Sequence, residues 1–283
     1  MKILVLVIAS DNEPRYIELQ KLWQLYMHYD PEHVESYFIR ADPQLRSTVQ
    51  VKGDVVWSRT KECGLPGILM KTLLSLEHFL PRLKEFDFVI RTNLSSFYAF
   101  PRLLEFLETL PRKKCYAGPP ARQDGTVASG CGIIFSSDVV ELLVKYKHRC
   151  LGLREMDYDD VVMWHVLSEL RIDHIRTSYS LMRNIDDWNA FISNALPGVF
   201  HVRTVASPDA SLLYSRLVNL FYPEIGFSLA GDSSGLRKPG PKGPGFRRPD
   251  ESAGFHTVLP EIDLFVGGKY DFTCSKQRFH LGI

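Results

Sequence analysis

The 283-residue sequence has no Cys-x-x-Cys pair, no Gly-x-Gly-x-x-Gly after its first apolar segment, no Gly-x-x-x-x-Gly-Lys-Ser/Thr loop and no apolar run long enough to span a bilayer. Each absence removes a class. The five cysteines (Cys63, Cys115, Cys131, Cys150 and Cys274) are odd in number and scattered. That argues against a disulfide framework or a zinc site and for a reducing compartment. Without the glycine fingerprints, dinucleotide dehydrogenases and P-loop kinases are disfavoured. Lysine and arginine number 34 against 33 acids, a formal charge of +1, so nothing favours nucleic acid or an anionic membrane electrostatically. "MKILVLVIAS" turns polar too soon for a spanning helix or a signal-peptide core. A cytoplasmic location and no transmembrane segment are expected.

What remains is an ordinary globular composition, 45% hydrophobic and 24% charged, enough for one large α/β domain. Lys2 to Ala9 is a β-branched run and reads as a strand buried on both faces. "PRYIELQKLWQLYMHY" places Ile17, Leu19, Leu22, Trp23, Tyr26 and Met27 at helical spacing. "VESYFIR" and "GDVVWS" read as short strands. "PGILMKTLLSLEHFL" reads as a helix with Ile68, Leu69, Leu73, Leu76 and Phe79 on one stripe and Pro66 suited to its first turn. The pattern goes on through strands at "FDFVIRTN", "CYAGPP" and "GCGIIFSS", and helices at "PRLLEFLETL", "DVVELLVKYK" and "DDVVMWHVLSEL". "DHIRTSYS" and "GVFHVRT" read as late strands. Such alternation predicts an α/β fold: an open, twisted, mainly parallel sheet flanked by helices, in a single domain over residues 1–228. Residues 229–283 hold a Gly/Pro/charge-rich stretch without hydrophobic period and read as linker and tail.

Ligands of open α/β sheets bind outside the carboxyl ends of the strands. Polar clusters follow three apolar strands here: Ser10-Asp11-Asn12, Arg91 to Ser96, and His201-Val202-Arg203. Turn chemistry alone accounts for a polar strand exit, aspartates favour helix starts, and a histidine after an apolar pair is commonly a satisfied core residue. Lys71 lies off its helix's apolar stripe, where a solvated lysine and a phosphate-binding one are both open readings.

Four segments together resemble the glycosyltransferases of GT-A fold. "FDFVIRTNLSSFYAFPRLLEFLETLPRKKCYAGPP" is similar to the family's segment in which a strand ends in Asp-x-Asp, followed by an aromatic, a Leu-Leu helix and a Tyr-x-Gly strand. "ASGCGIIFSSDVVELL" resembles its acceptor-side segment, "DYDDVVMWHVL" its acidic helix start, and "GVFHVRT" its late His-bearing strand. The likeness covers about Lys2 to Thr204 and is nearest the β-1,3-type transferases and the compact soluble transferases of viruses and bacteria. It implies transfer of a sugar from a nucleoside diphosphate donor, UDP- or GDP-linked, to a hydroxyl of a glycan or other acceptor, with inversion. Asp160, or else Asp159, would be the general base. Ala9, Ser10, Asp11, Lys71, Arg91, Asn93, Ser95, His201 and Arg203 fall on the donor side, and Ser129, Gly130, Asp187 and Trp188 on the acceptor side.

The chain departs from the family at one place: Asn93-Leu94-Ser95 stands where Asp-x-Asp belongs. Neutral oxygens hold a hard cation less well than carboxylates, which weakens the case for a Mn2+ or Mg2+ cofactor. Asn93, Ser95 and His201 are the candidates left to bind one, with Arg91 as compensating charge. The same departure sustains a rival expectation, a non-catalytic relative that binds sugar or nucleotide as a scaffold.

Overall fold

The computed structural model describes residues 1–122, 124–153, 158–194, 198–204 and 209–225. The expected tail, 229–283, and Asp157 lie outside them. In chain order the elements are β1 (Ile3–Ile8), α1 (Pro14–Tyr26), β2 (Val34–Ala41), β3 (Val49–Lys52), β4 (Val55–Ser58), α2 (Gly67–Phe79), β5 (Phe88–Asn93) and β6 (Ser96–Tyr98). There follow α3 (Phe100–Leu107), β7 (Tyr116–Gly118), β8 (Gly132–Ser136), α4 (Ser137–Lys145), α5 (Lys147–Gly152), α6 (Asp159–Glu169) and β9 (His174–Arg176). β10 (Ser180–Met182), α7 (Ile185–Asn194), β11 (His201–Thr204) and α8 (Ala210–Phe221) complete the set.

An eight-stranded sheet runs β3-β4-β2-β1-β5-β8-β7-β9. Its centre, β4-β2-β1-β5, is parallel, while β8 is antiparallel to both β5 and β7. β1 shows why its sequence is apolar at every position. Ile3, Val5 and Val7 enter one core with α1, α3 and α8, while Leu4 and Leu6 enter the other with α2, α4 and α6. A strand covered on both faces has no polar side to advertise.

The other three strands form a second, small sheet, β10-β11-β6. Only two residues separate β5 from β6, so the chain turns a corner from one sheet into the other at Leu94-Ser95. The polar residues of this exit serve that corner. Asn93 Oδ1 accepts the hydroxyls of Ser95 at 2.9 Å and Ser96 at 3.1 Å, and the buried Leu94 carbonyl accepts Trp23 Nε1 at 3.2 Å. Tyrosines hold the next strand. Tyr214 donates to the Ser96 carbonyl (3.0 Å) and Tyr222 to that of Tyr98 (2.7 Å), while Tyr26 and Tyr214 share a 2.7 Å bond between hydroxyls. Each phenol thus buries a ring and satisfies its polar tip.

Asp186, Asp187 and Trp188 fall in the first turn of α7. Asn184 accepts the amides of Asp186 and Asp187, and Asp187 accepts that of Arg183 at 2.6 Å. This is reciprocal capping. No described helix is long and apolar enough to cross a membrane.

Candidate active site

The carboxyl ends of β1 and β5, the loop entering β8 and the start of α6 meet at one place. Arg91 is the fourth residue of β5, in register with Leu6 and Ile133 on an otherwise apolar face. It is 3% exposed. One terminal nitrogen donates to the Asp159 carboxylate and the other to the Gly130 carbonyl. The Gly130 amide donates to Asp160 Oδ2 at 2.9 Å. Asp160 Oδ1 accepts the amide of Val161 at 2.8 Å, so the helix-start preference of aspartate is also in use. Burial, and then the charge of Asp159, push the Asp160 carboxyl above the usual carboxylate range, against the pull of the Gly130 amide and Arg91. A carboxylate with raised proton affinity is the better base near neutrality.

The next residue, Cys131, ties this group to the corner. Its carbonyl faces the hydroxyls of Thr92 at 2.6 Å, Ser96 at 2.8 Å and Tyr98 at 3.3 Å. The Ser96 hydroxyl also lies 3.1 Å from Asn93 Oδ1. Tyr98 stacks on His201, with centroids 4.5 Å and planes 10° apart, and the Tyr179 ring is tilted to it with centroids 5.7 Å apart. His201 is 2% exposed, and its Nε2 has no hydrogen-bond partner among the described residues. Burial, assisted by Arg203, lowers its basicity to about 3. Gly132 must be glycine, because a Cβ there would stand 2.5 Å from the Tyr98 hydroxyl and 2.7 Å from His201 Cε1. Asn93, Asp160 and His201 are thus gathered around one short stretch, Gly130 to Gly132.

Lys71 is fully buried, and neither solvated nor open to a phosphate. Its Nζ donates to the Ala9 carbonyl at the end of β1 (3.0 Å) and to Glu62 (2.6 Å). Burial lowers its proton affinity against the pull of Glu62. Asp11 pairs with Arg40 at 3.2 Å, and the Asn12 amide reaches Ser10 Oγ at 3.2 Å. Asp187 and Trp188 do not join this group. Trp188 packs against the core beside Phe191, with Arg216 over its ring.

The side chains in the metal-motif position do not fit a divalent cation. Asn93 Oδ1 faces two hydroxyls, one of them Ser95's, and His201 is buried with its ring stacked on Tyr98. Among the described residues, no three His, Cys, Asp or Glu side chains converge as a metal site would need.

Several contributors carry no sequence signal. Thr92, Ser96 and Tyr98 read as strand residues, and their shared grip on the Cys131 carbonyl spans more than thirty positions. Tyr158, the residue before the aspartate pair, is 64% exposed at the N-cap of α6, with no side-chain hydrogen bond to cap it.

No known protein family matches the chain, and no curated protein does. Among solved structures, a glycosyltransferase involved in the glycosylation of the major capsid of PBCV-1 is similar at 9% identity, over 77% of this chain and 98% of that one, with a TM-score of 0.49. A likeness of that size decides nothing about chemistry, which has to be read from the side chains.

Proposed function

We propose that the chain is a glycosyltransferase that moves a sugar from a nucleoside diphosphate to a hydroxyl acceptor by single displacement, without a resident cation. Asp160 takes the acceptor's proton as the acceptor oxygen bonds to the anomeric carbon. The bond from that carbon to the diphosphate breaks, and its electron pair leaves with the diphosphate. Ala9, Ser10, Asp11, Asn93, Ser95 and Arg203 belong to the donor side in this scheme, and Ser129, Gly130 and the exposed Tyr158 to the acceptor side. One observation carries the reading: the four segments that together resemble the family, spread over more than a hundred residues, are joined through hydrogen bonds and ring contacts at Gly130 to Gly132.

A second reading has its own support. Arg91 and Lys71 are both spent on carboxylates of the chain itself, which suits a module that binds a sugar or nucleotide without turning it over. Transfer and donor hydrolysis with UDP- and GDP-sugars separate the two. Asp160→Asn should lower turnover by about 10²–10⁴-fold while calorimetry still detects donor binding, and chelation of divalent ions should change neither. Donor binding with no turnover in the wild type supports the module; activity that survives in Asp160→Asn refutes the assigned base.

A further inference from the structure

Arg91 joins Asp159 to the loop at Gly130, whose amide holds Asp160. An arginine cannot shed its charge, so at 3% exposure its partners are part of the fold's design. Asp159 supplies the counter-charge, and the Gly130 carbonyl takes the second arm of the fork. Gly130 is thereby held at both its polar groups, its carbonyl by Arg91 and its amide by Asp160. The fit leaves no slack, since a Cβ on Gly130 would stand 2.3 Å from Arg91 Nη1 and 3.4 Å from Asp160 Oδ2.

We propose that Arg91 is a positioning residue that separates the roles of two adjacent aspartates: it occupies Asp159 as a counter-ion, and through Gly130 it aims a backbone amide at Asp160. Asp159 is then the partner of Arg91 and no base, and Arg91 is no donor-phosphate ligand. The inference rests on the assignment of Asp160 as base only for its kinetic consequence, since the electrostatic one exists without substrate. The charged and titratable groups around the fork include Asp159 and Asp160 on α6, Lys71 on α2 with its partner Glu62, Tyr116 on β7, Tyr98 on β6 and Cys131 beside Gly130. Asp159 raises the Asp160 carboxyl and Arg91 lowers it. Removing either charge therefore moves Asp160 in opposite directions.

The test uses the full chain, with Asp159→Asn, which keeps an oxygen for Arg91, and Arg91→Lys, which keeps the charge but loses the fork. Carboxyl NMR of Asp160 without substrate should show its titration moving down in Asp159→Asn. In transfer assays, Arg91→Lys should lower kcat by roughly 10²-fold, the cost of a small misplacement, with KM for the donor nearly unchanged. The acid limb of the Asp159→Asn rate profile should move with the Asp160 titration. An Asp160 titration that stays put in Asp159→Asn overturns the proposal. So does an Arg91→Lys enzyme that loses donor affinity at full kcat, since Arg91 would then be meeting the diphosphate itself. A wild type without transferase activity defeats the proposed function, and the substrate-free NMR titration still decides whether Arg91 and Asp159 act as a pair on Asp160.

Discussion

Replacing His201 by phenylalanine probes how strongly the small sheet discriminates against a charged ring. The native imidazole is held neutral, with its proton affinity lowered to about 3, whereas an unfolded histidine titrates near ~6.5. Below that higher value the unfolded chain binds a proton that the folded chain refuses. Stability therefore falls as pH drops through the window from ~6.5 to about 3. At ~1.4 kcal/mol per pH unit, this one ring costs ~2 kcal/mol by pH 5 and, summed over the window, ~5 kcal/mol. Phenylalanine keeps a ring to stack on Tyr98 and removes the unpartnered Nε2. Urea denaturation of both proteins at pH 7.5 and pH 5 provides the measurement. Whatever the offset at pH 7.5, the variant should gain ~2 kcal/mol on the wild type by pH 5, because carboxylates common to both cancel in the difference. Parallel losses in the two proteins would refute the reasoning and mean that the buried ring is protonated in place.

Glu62→Gln leaves Lys71 buried beside an uncharged partner, and should cost about 3–5 kcal/mol at neutral pH. Because the fold already disfavours the charged amine, that deficit should shrink as pH rises toward the unfolded lysine's value, as denaturation at two pH values would show. Tyr214→Phe removes the donor to the Ser96 carbonyl and the partner of Tyr26, and should cost ~1–3 kcal/mol in thermal or urea unfolding. Gly130→Ala drives a methyl into Arg91 and should destabilise by ~1–3 kcal/mol. Gly152→Ala, with nothing within 4 Å of the new carbon, should be neutral or slightly stabilising in the same calorimetric scan.

The large sheet and its two helical layers are legible in the sequence because β1 is apolar throughout and β5 and β8 each carry an apolar triplet, while the helices between them carry stripes. The small sheet is not. β6 is three residues long and β10 equally so, too short for any period to register. Its existence changes the meaning of Asn93 and Ser95, whose side chains close a corner as well as line a rim. Lys71 misleads for a related reason. Off-stripe positions of a helix face water only if one side is covered, and α2 is buried at Leu69, Leu73 and Leu76 but also at Thr72, Leu74 and Ser75. Arg91 and Asp159 lie 68 residues apart, and no local pattern announces a pair at that range. The grouping of Asn93, Asp160 and His201 is expected from the sequence only through the order of four segments taken together, since each alone is weak. That Asp159 pairs with Arg91 is not legible.

The corner after β5 also imposes an order of manufacture. A ribosome delivers Ser96 well before the phenol that binds its carbonyl, which lies 118 positions later on α8, and Tyr98 waits 124 positions for Tyr222. The large sheet from β1 to β9 is already translated by then, so the nascent protein carries a nearly finished scaffold with its rim unfastened. Messages or proteolytic cuts that stop short of Tyr214 would remove the tyrosine that fastens β6 and also uncover the core that α8 shares with α1 and α3, two marks a quality-control protease could read.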